Sequence, residues 1–175
     1  MRNIAWLLAS LLLISPPASA CTCDWPRSAR SAFRQANAVF VGEVVSNQRI
    51  GEYGLRKVVL RVLRAWKGVE PGEIVTVTAG SNRAMCGHPF SESAKHLVYA
   101  MTRDKNLEYR GVPSRDSLTT SWCNRTMSLD MGRLYGDSAY KAVQDSVAKA
   151  EVDSLDALVK ARTREPLPRP LPSPR

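Results

Sequence analysis

The chain has 175 residues, with 25 lysine and arginine residues against 16 aspartate and glutamate residues, and a formal net charge of +9 at pH 7. This length favours one domain with a single core and leaves no room for several. The positive charge favours acidic partners, such as polyanions, anionic lipids or acidic proteins, although it carries no information about the fold.

The first 20 residues have the pattern of an export signal. Arg2 supplies the basic start, an apolar run extends from Ile4 to Ile14, and small residues stand at Ala18 and Ala20. This run is too short to span a bilayer, and no later run reaches about 18 apolar residues. We therefore expect a secreted or periplasmic protein whose net charge falls to +8, because the signal removes one basic residue and no acidic one. Nucleic acid is not an expected partner of an exported protein.

Cleavage after Ala20 would make Cys21 the first residue of the mature chain. A terminal cysteine presents its free α-amine beside its own carbonyl oxygen, and these two atoms can form a five-membered chelate with a metal ion. An oxidising compartment also favours two disulfides among the four cysteines, which are Cys21, Cys23, Cys86 and Cys123.

A second interpretation of the same junction stays open. Residues 18–21, Ala-Ser-Ala-Cys, also form a weak bacterial lipobox, which would place a diacylglycerol on the Cys21 sulfur and tether the protein to a membrane. A lipidated Cys21 could not form a disulfide and would leave one cysteine without a partner. The Ala-x-Ala sequence and the even number of cysteines favour ordinary cleavage.

The next segment predicts a short helix followed by β-strands. Ser28–Asn37 has a helix-tolerant composition, and a turn is predicted at Asn47–Gly54. In the second strand, Val58, Leu60 and Val62 share one face, and Gly42 predicts a bulge or a sharp coil in the first. Five strands at short spacing predict a small closed or half-closed β-barrel. The predicted strands are Ala38–Val45, Lys57–Trp66, Ile74–Thr78, His96–Thr102 and Leu107–Gly111.

Beyond residue 137 the apolar spacing becomes that of a helix. It predicts one or two helices packed on the barrel, with a break near Asp153-Ser154 as the two-helix alternative. Glu165–Arg175 holds five prolines and predicts an extended, disordered tail. The predicted organisation is a signal at 1–20, one domain at 21–162 and a tail at 163–175. Within the domain, the barrel covers about 21–130 and the helical segment about 137–162. The apolar positions of the helix are Tyr140, Val143, Val147, Leu155, Leu158 and Val159.

The cysteines and their neighbours form a characteristic series over about residues 21–130. Cys21-Thr22-Cys23 comes first, then Ala32-Phe33 and Ala36-Asn37 lead into the first strand, and Cys86-Gly87 and Thr119-Thr120 with Cys123 follow. This series resembles the amino-terminal domain of the tissue inhibitors of metalloproteinases, a netrin-like module. The resemblance implies a mainly β fold, a five-stranded OB-type barrel with flanking helices. It also implies the disulfides Cys21–Cys86 and Cys23–Cys123.

The same resemblance implies a function for the amino-terminal edge Cys21, Thr22 and Cys23. In that family the backbone amine and carbonyl of the first cysteine chelate the catalytic zinc of a protease. The expected partner is therefore a zinc metalloprotease, with Thr22 in its specificity pocket and no cofactor in the inhibitor itself. The alternative is a non-inhibitory netrin-like module that binds a protein or a polyanion, anchored to a membrane only if Cys21 is lipidated.

The sequence departs from the family pattern at several positions. Arg34 stands where the animal inhibitors have another cysteine, their six-cysteine carboxy-terminal domain is missing, and Asp24-Trp25 replaces a proline-rich continuation. Other chemistry is poorly supported, because no Gly-x-Ser-x-Gly or Cys-x-x-Cys motif occurs. His88 and His96 lack the spacing of a metal site and are expected to be surface or packed residues. We do not expect an enzyme.

Overall fold

The computed structural model describes residues 21, 23, 26, 28–51, 54–102, 118–130 and 138–164. None of the helices in this part of the chain is long and apolar enough to cross a membrane. Short 3₁₀ helices occur at Arg83–Met85 and Trp122–Asn124. The main elements are α1 (Ala29–Gln35), β1 (Ala38–Ile50), β2 (Leu55–Lys67), β3 (Ile74–Gly80), β4 (Lys95–Thr102), β5 (Leu118–Thr119), β6 (Met127–Ser128) and α2 (Ser138–Arg164).

Five of the strands close into a barrel. They follow the order β1-β2-β3-β5-β4, and the pairing of β1 with β4 closes the circle. All of these pairs are antiparallel except the parallel pair β3–β5. Strand β6 pairs with β4 outside the barrel. The predicted mainly β fold is confirmed, and the closed five-stranded barrel fits an OB-type architecture.

Alternating residues of the strands fill the barrel. The predicted inward face of β2 is confirmed, because Val58, Leu60 and Val62 are all buried. The register between β1 and β2 does shift between Val41 and Gly42, but the extra residue there is Leu63, so the irregularity lies in β2 and not at Gly42 of β1 as predicted. Each fully buried aliphatic side chain of this kind contributes about 1.5–3 kcal/mol to the free energy of unfolding.

A second apolar cluster joins the two helices to the outside of the barrel. It includes Phe33 of α1, Tyr99 of β4 and Leu155 of α2. Helix α1 begins after Ser28, whose hydroxyl oxygen accepts a hydrogen bond from the Ser31 amide at 3.2 Å. At its other end, the Lys67 ammonium donates to the carbonyl oxygens of Phe33 and Ala36. The end of β2 thereby holds the end of α1.

The carboxy-terminal helix corrects two expectations. It runs unbroken from Ser138 to Arg164, so the proposed break near Asp153-Ser154 is wrong; the Ser154 hydroxyl bonds to the Ala150 carbonyl one turn earlier. Its predicted apolar face is only partly buried. Leu155 is completely buried, whereas Val143 and Val147 are 58% and 48% exposed. The helix is about 40 Å long, and its described buried residues, Ala148, Glu151 and Leu155, all lie in its middle. The side chain of Tyr140 lies outside the described residues.

The strand boundaries also differ from the sequence expectation. Strand β1 continues to Ile50, so the first half of the turn predicted at Asn47–Gly54 is wrong. Asn47 is held there because its side-chain oxygen accepts from Arg56 Nε at 2.5 Å. The fifth barrel strand is Leu118–Thr119, which the sequence did not predict. The predicted start of the tail at residue 163 is wrong, because residues 163 and 164 still belong to α2. The strand predicted at Leu107–Gly111, the signal at 1–20 and the rest of the predicted tail, 165–175, lie outside the described residues.

Candidate functional site

Two disulfides attach the amino-terminal segment to the barrel. Cys21 is bonded to Cys86 with a Cα–Cα distance of 5.5 Å, and Cys23 to Cys123 with one of 5.1 Å. These are the pairs that the resemblance implies. The bonds reach two different parts of the chain, since Cys86 follows β3 and Cys123 lies in the 3₁₀ helix between β5 and β6. Two successive attachments within three residues restrict this edge far more than one would.

The two anchoring loops are also connected to each other. The Trp122 amide donates a 2.8 Å hydrogen bond to the Cys86 carbonyl oxygen. The Cys21 sulfur lies 3.6 Å from that of Cys123 and 3.8 Å from that of Cys23. Three sulfurs thus lie within 4.8 Å of one another. Each belongs to a disulfide, so none of them offers a thiolate to a metal ion. The three sulfurs therefore belong to two neighbouring disulfides and do not form a metal centre.

The loop that carries Cys86 depends on two glycines. Cys86 has a left-handed backbone with φ of 52°. The following residue, Gly87, packs directly on Gly80 at the end of β3. A Cβ atom on Gly87 would lie 2.0 Å from the Gly80 carbonyl oxygen, so no larger residue fits without moving the backbone. This close approach places Cys86 beside the amino-terminal segment.

The loop that carries Cys123 is fixed by side-chain hydrogen bonds. The Ser121 hydroxyl oxygen accepts from the Cys123 amide at 3.2 Å, which caps the 3₁₀ helix. The Asn124 side-chain amide donates to the Tyr99 carbonyl oxygen at 2.6 Å. Thr120 donates to the same oxygen at 2.9 Å. Because Tyr99 belongs to β4, these contacts tie the second disulfide to the barrel wall.

A partly buried ion pair links this region to α2. The Arg125 guanidinium donates to both carboxylate oxygens of Glu151, at 2.7 Å and 2.5 Å, and to the Pro26 carbonyl oxygen at 3.4 Å. The Tyr99 hydroxyl donates to the same carboxylate at 2.7 Å. Burial, then the bond to Glu151, raises the pKa of Tyr99 above its ordinary value, and the Glu151 bond raises the pKa of Arg125. The sequence analysis missed this network because no motif joins three residues so far apart.

His88 and His96 form a buried pair close to the anchoring loops. His88 Nε2 lies 3.0 Å from His96 Nδ1, and the His88 ring is 6.2 Å from the Trp122 ring. Their other ring nitrogens have no hydrogen-bond partner among the described residues. Burial lowers the pKa of both, helped at His88 by the charge of His96 and opposed at His96 by Asp130. The resulting pKa values are about 3 and about 4. Of the two expectations, the structure selects the packed one.

The residues of the predicted inhibitory edge are described in part. Cys21 and Cys23 are both half-buried, with their sulfurs turned to the barrel. Thr22, Asp24 and Trp25 lie outside the described residues, so the specificity side chain expected at Thr22 remains a prediction. No family model matches the chain, and a comparison with curated proteins finds no match.

Proposed function

We propose that the protein is an extracytoplasmic inhibitor of zinc metalloproteases that acts through the edge beginning at Cys21. The observation that carries this proposal is the double attachment of Cys21 and Cys23 to two loops that are themselves hydrogen-bonded. Such an edge is rigid before it meets a partner. Rigidity of this kind lowers the entropy lost on association and so strengthens binding.

The chemistry follows from the open position of a catalytic zinc site. Such a zinc has three protein ligands and a fourth position occupied by water. After cleavage behind Ala20, the Cys21 amine and carbonyl oxygen replace that water together. Thr22 then extends into the pocket that receives a substrate side chain, while no peptide bond lies in position for cleavage. The disulfide sulfurs take no part in the chelate and only hold its backbone.

The cysteine pairing also bears on where the protein acts. Two disulfides indicate an oxidising compartment. The Cys21–Cys86 bond uses the sulfur that a diacylglycerol would need, and this supports an untethered protein over the lipid-anchored alternative. Intact mass of the purified protein distinguishes the two, because the lipidated form is heavier by a diacylglycerol.

The function is tested by moving the amine without changing the barrel. Native protein, protein with one alanine added before Cys21, and the Thr22→Gly variant are assayed against a panel of zinc metalloproteases. The added alanine makes the Cys21 nitrogen part of a peptide bond and moves the free amine away from the zinc. Because this removes a central contact, we expect the inhibition constant to rise about a hundredfold or more. Thr22→Gly should weaken inhibition by amounts that differ between proteases. A protein with the extra alanine after Arg175 has the same mass and should inhibit like the native form.

Two results would contradict the proposal. The first is that native protein with a verified Cys21 amino terminus inhibits no protease of the panel. The second is equal inhibition by the native and the amino-terminally extended forms. Either result leaves the non-inhibitory binding module as the better account of the edge.

A further inference from the structure

A cationic cleft lies between α1 and the end of α2, with a volume of about 390 Å³. Arg30 and Arg34 stand one turn apart on α1, Lys67 ends β2, and Arg162 lies in the last turn of α2. Phe33 and Leu158 line the same cleft. Both also contribute to the apolar cluster between the helices and the barrel. The cleft thus combines four positive charges with an apolar wall.

Among the described residues, the positive charges of the cleft have no acidic partner. None of the described residues that line it carries a carboxylate, and no ion pair between described residues involves its four cations. Nearby Arg64 provides a contrast, because it is paired with Asp156 of α2. Burial and the charge of Arg162 lower the pKa of Lys67, which indicates that like charges meet here. A bound anion would relieve this repulsion.

One of these cations, Lys67, is held in place by the fold. The ammonium of Lys67 donates to the carbonyl oxygens of Phe33 and Ala36 at the end of α1, and these bonds restrict the conformation of its side chain. The same ammonium lies 5.3 Å from the centre of the Phe33 ring. The charge is therefore fixed beside the apolar wall, in a cleft whose volume falls in the range of small-molecule sites.

We propose that the cationic cleft binds phosphate monoesters that carry a small apolar group. Guanidinium groups match the oxygens of a phosphate in paired hydrogen bonds, and several cations favour a dianion over a single charge. The apolar part of the ligand lies against Phe33 and Leu158. This site is separate from the Cys21 edge and does not depend on protease inhibition.

The ligand chemistry is tested by calorimetric titration of the mature protein with phenyl phosphate, inorganic phosphate and phenol. We expect phenyl phosphate to bind about tenfold more tightly than inorganic phosphate, because burial of the phenyl ring strengthens the binding free energy by more than about 1 kcal/mol. Phenol should not bind measurably. The affinity for phenyl phosphate should fall as salt is added. No binding of phenyl phosphate, or equal binding of inorganic phosphate, would overturn the proposal.

Two substitutions on the same helix locate the site. Arg162→Gln removes a cation of the cleft, whereas Lys160→Gln removes an exposed cation that does not line it. We expect Arg162→Gln to weaken phenyl phosphate binding about tenfold and Lys160→Gln to leave it nearly unchanged. If both substitutions weakened phenyl phosphate binding equally, the ligand would be responding to the net charge of the protein, and the proposed site would be overturned. Thermal unfolding of both variants verifies that they remain folded.

The natural source of the ligand is distinguished by a second pair of measurements. Vesicles of phosphatidylcholine with and without phosphatidic acid present the same phosphate monoester on a membrane. Cosedimentation that requires phosphatidic acid and is lost in Arg162→Gln supports the site with a lipid ligand. Binding of phenyl phosphate without cosedimentation supports it with a soluble ligand. Cosedimentation that is unchanged in Arg162→Gln would place lipid binding elsewhere and would count against the cleft.

Discussion

Among single residues, His88 and His96 dominate the response of the barrel to acid. Both are buried, with pKa values lowered to about 3 and about 4, whereas histidines in the unfolded chain titrate near pH 6.5. Below about pH 6.5 the unfolded state therefore binds more protons than the folded state. The contribution of the two histidines to the free energy of unfolding is complete above that pH, and it is lost as the pH falls towards their pKa values in the folded state.

The histidine prediction can be measured between about pH 7.5 and pH 5, above the range in which most carboxylates titrate. We expect the free energy of unfolding in urea to fall below about pH 6.5 with a slope of up to about 2.7 kcal/mol per pH unit, the value for two protons. The His88→Gln variant keeps a polar side chain but loses one titrating site, so its slope should be about half. A flat profile in the native protein would contradict the prediction, because the chain has only these two histidines.

At the level of elements, the Arg125–Glu151 ion pair fastens α2 to the loop after Cys123. The Glu151 side chain is 6% exposed, and its carboxylate accepts hydrogen bonds from both the Arg125 guanidinium and the Tyr99 hydroxyl. Replacing it by glutamine leaves Arg125 partly buried without its countercharge. We expect Glu151→Gln to lower the free energy of unfolding by about 2–4 kcal/mol, measured by urea unfolding at pH 7.

A matched substitution on the same helix serves as the control for Glu151→Gln. Asp153 forms an ion pair with Lys149 at 2.6 Å, but both side chains are well exposed. Asp153→Asn should therefore leave stability nearly unchanged, because solvent and salt screen exposed pairs. If the two substitutions had equal effects, the Arg125–Glu151 pair would not be what holds α2.

The elements differ in how far the sequence predicts them. Strand β2 was predictable because the buried Val58, Leu60 and Val62 alternate with less buried residues of the other face, which gives a period of two. Strand β5 was not, since a two-residue strand has no period and forms only because β3 and β4 lie on either side of it. The exposure of Val143 and Val147 depends on which part of α2 meets the rest of the fold, and local spacing does not encode this.

The candidate site, too, was predictable from the sequence only in part. Its four cysteines were visible in the sequence, and the family resemblance implied their pairing. The features that hold the disulfides were not visible. The contact of Gly87 with Gly80 and the hydrogen bond from Trp122 to Cys86 require segments to meet that are distant along the chain. The cationic cleft likewise combines residues from α1, β2 and α2.

For the whole molecule, the two disulfides constrain the unfolded chain as well as the folded edge. They close loops with sequence separations of 65 and 100 residues. On the chain-entropy model each contributes about 4–5 kcal/mol to the free energy of unfolding. The double variants Cys21→Ala/Cys86→Ala and Cys23→Ala/Cys123→Ala should each lose about this much in urea unfolding at pH 7.

The first of these variants also separates the chemistry of the edge from its rigidity. Cleavage behind Ala20 leaves an alanine at the amino terminus, with the same α-amine and carbonyl oxygen that Cys21 has, so the zinc chelate remains possible. Only the bond to the Cys86 loop is lost. If rigidity matters as proposed, the inhibition constant should rise about tenfold or more under conditions in which the variant stays folded. Circular dichroism at the assay temperature verifies the folded state, and mass spectrometry verifies the new amino terminus. Inhibition equal to that of the native protein would mean that the edge needs its terminal amine but not the Cys21–Cys86 disulfide.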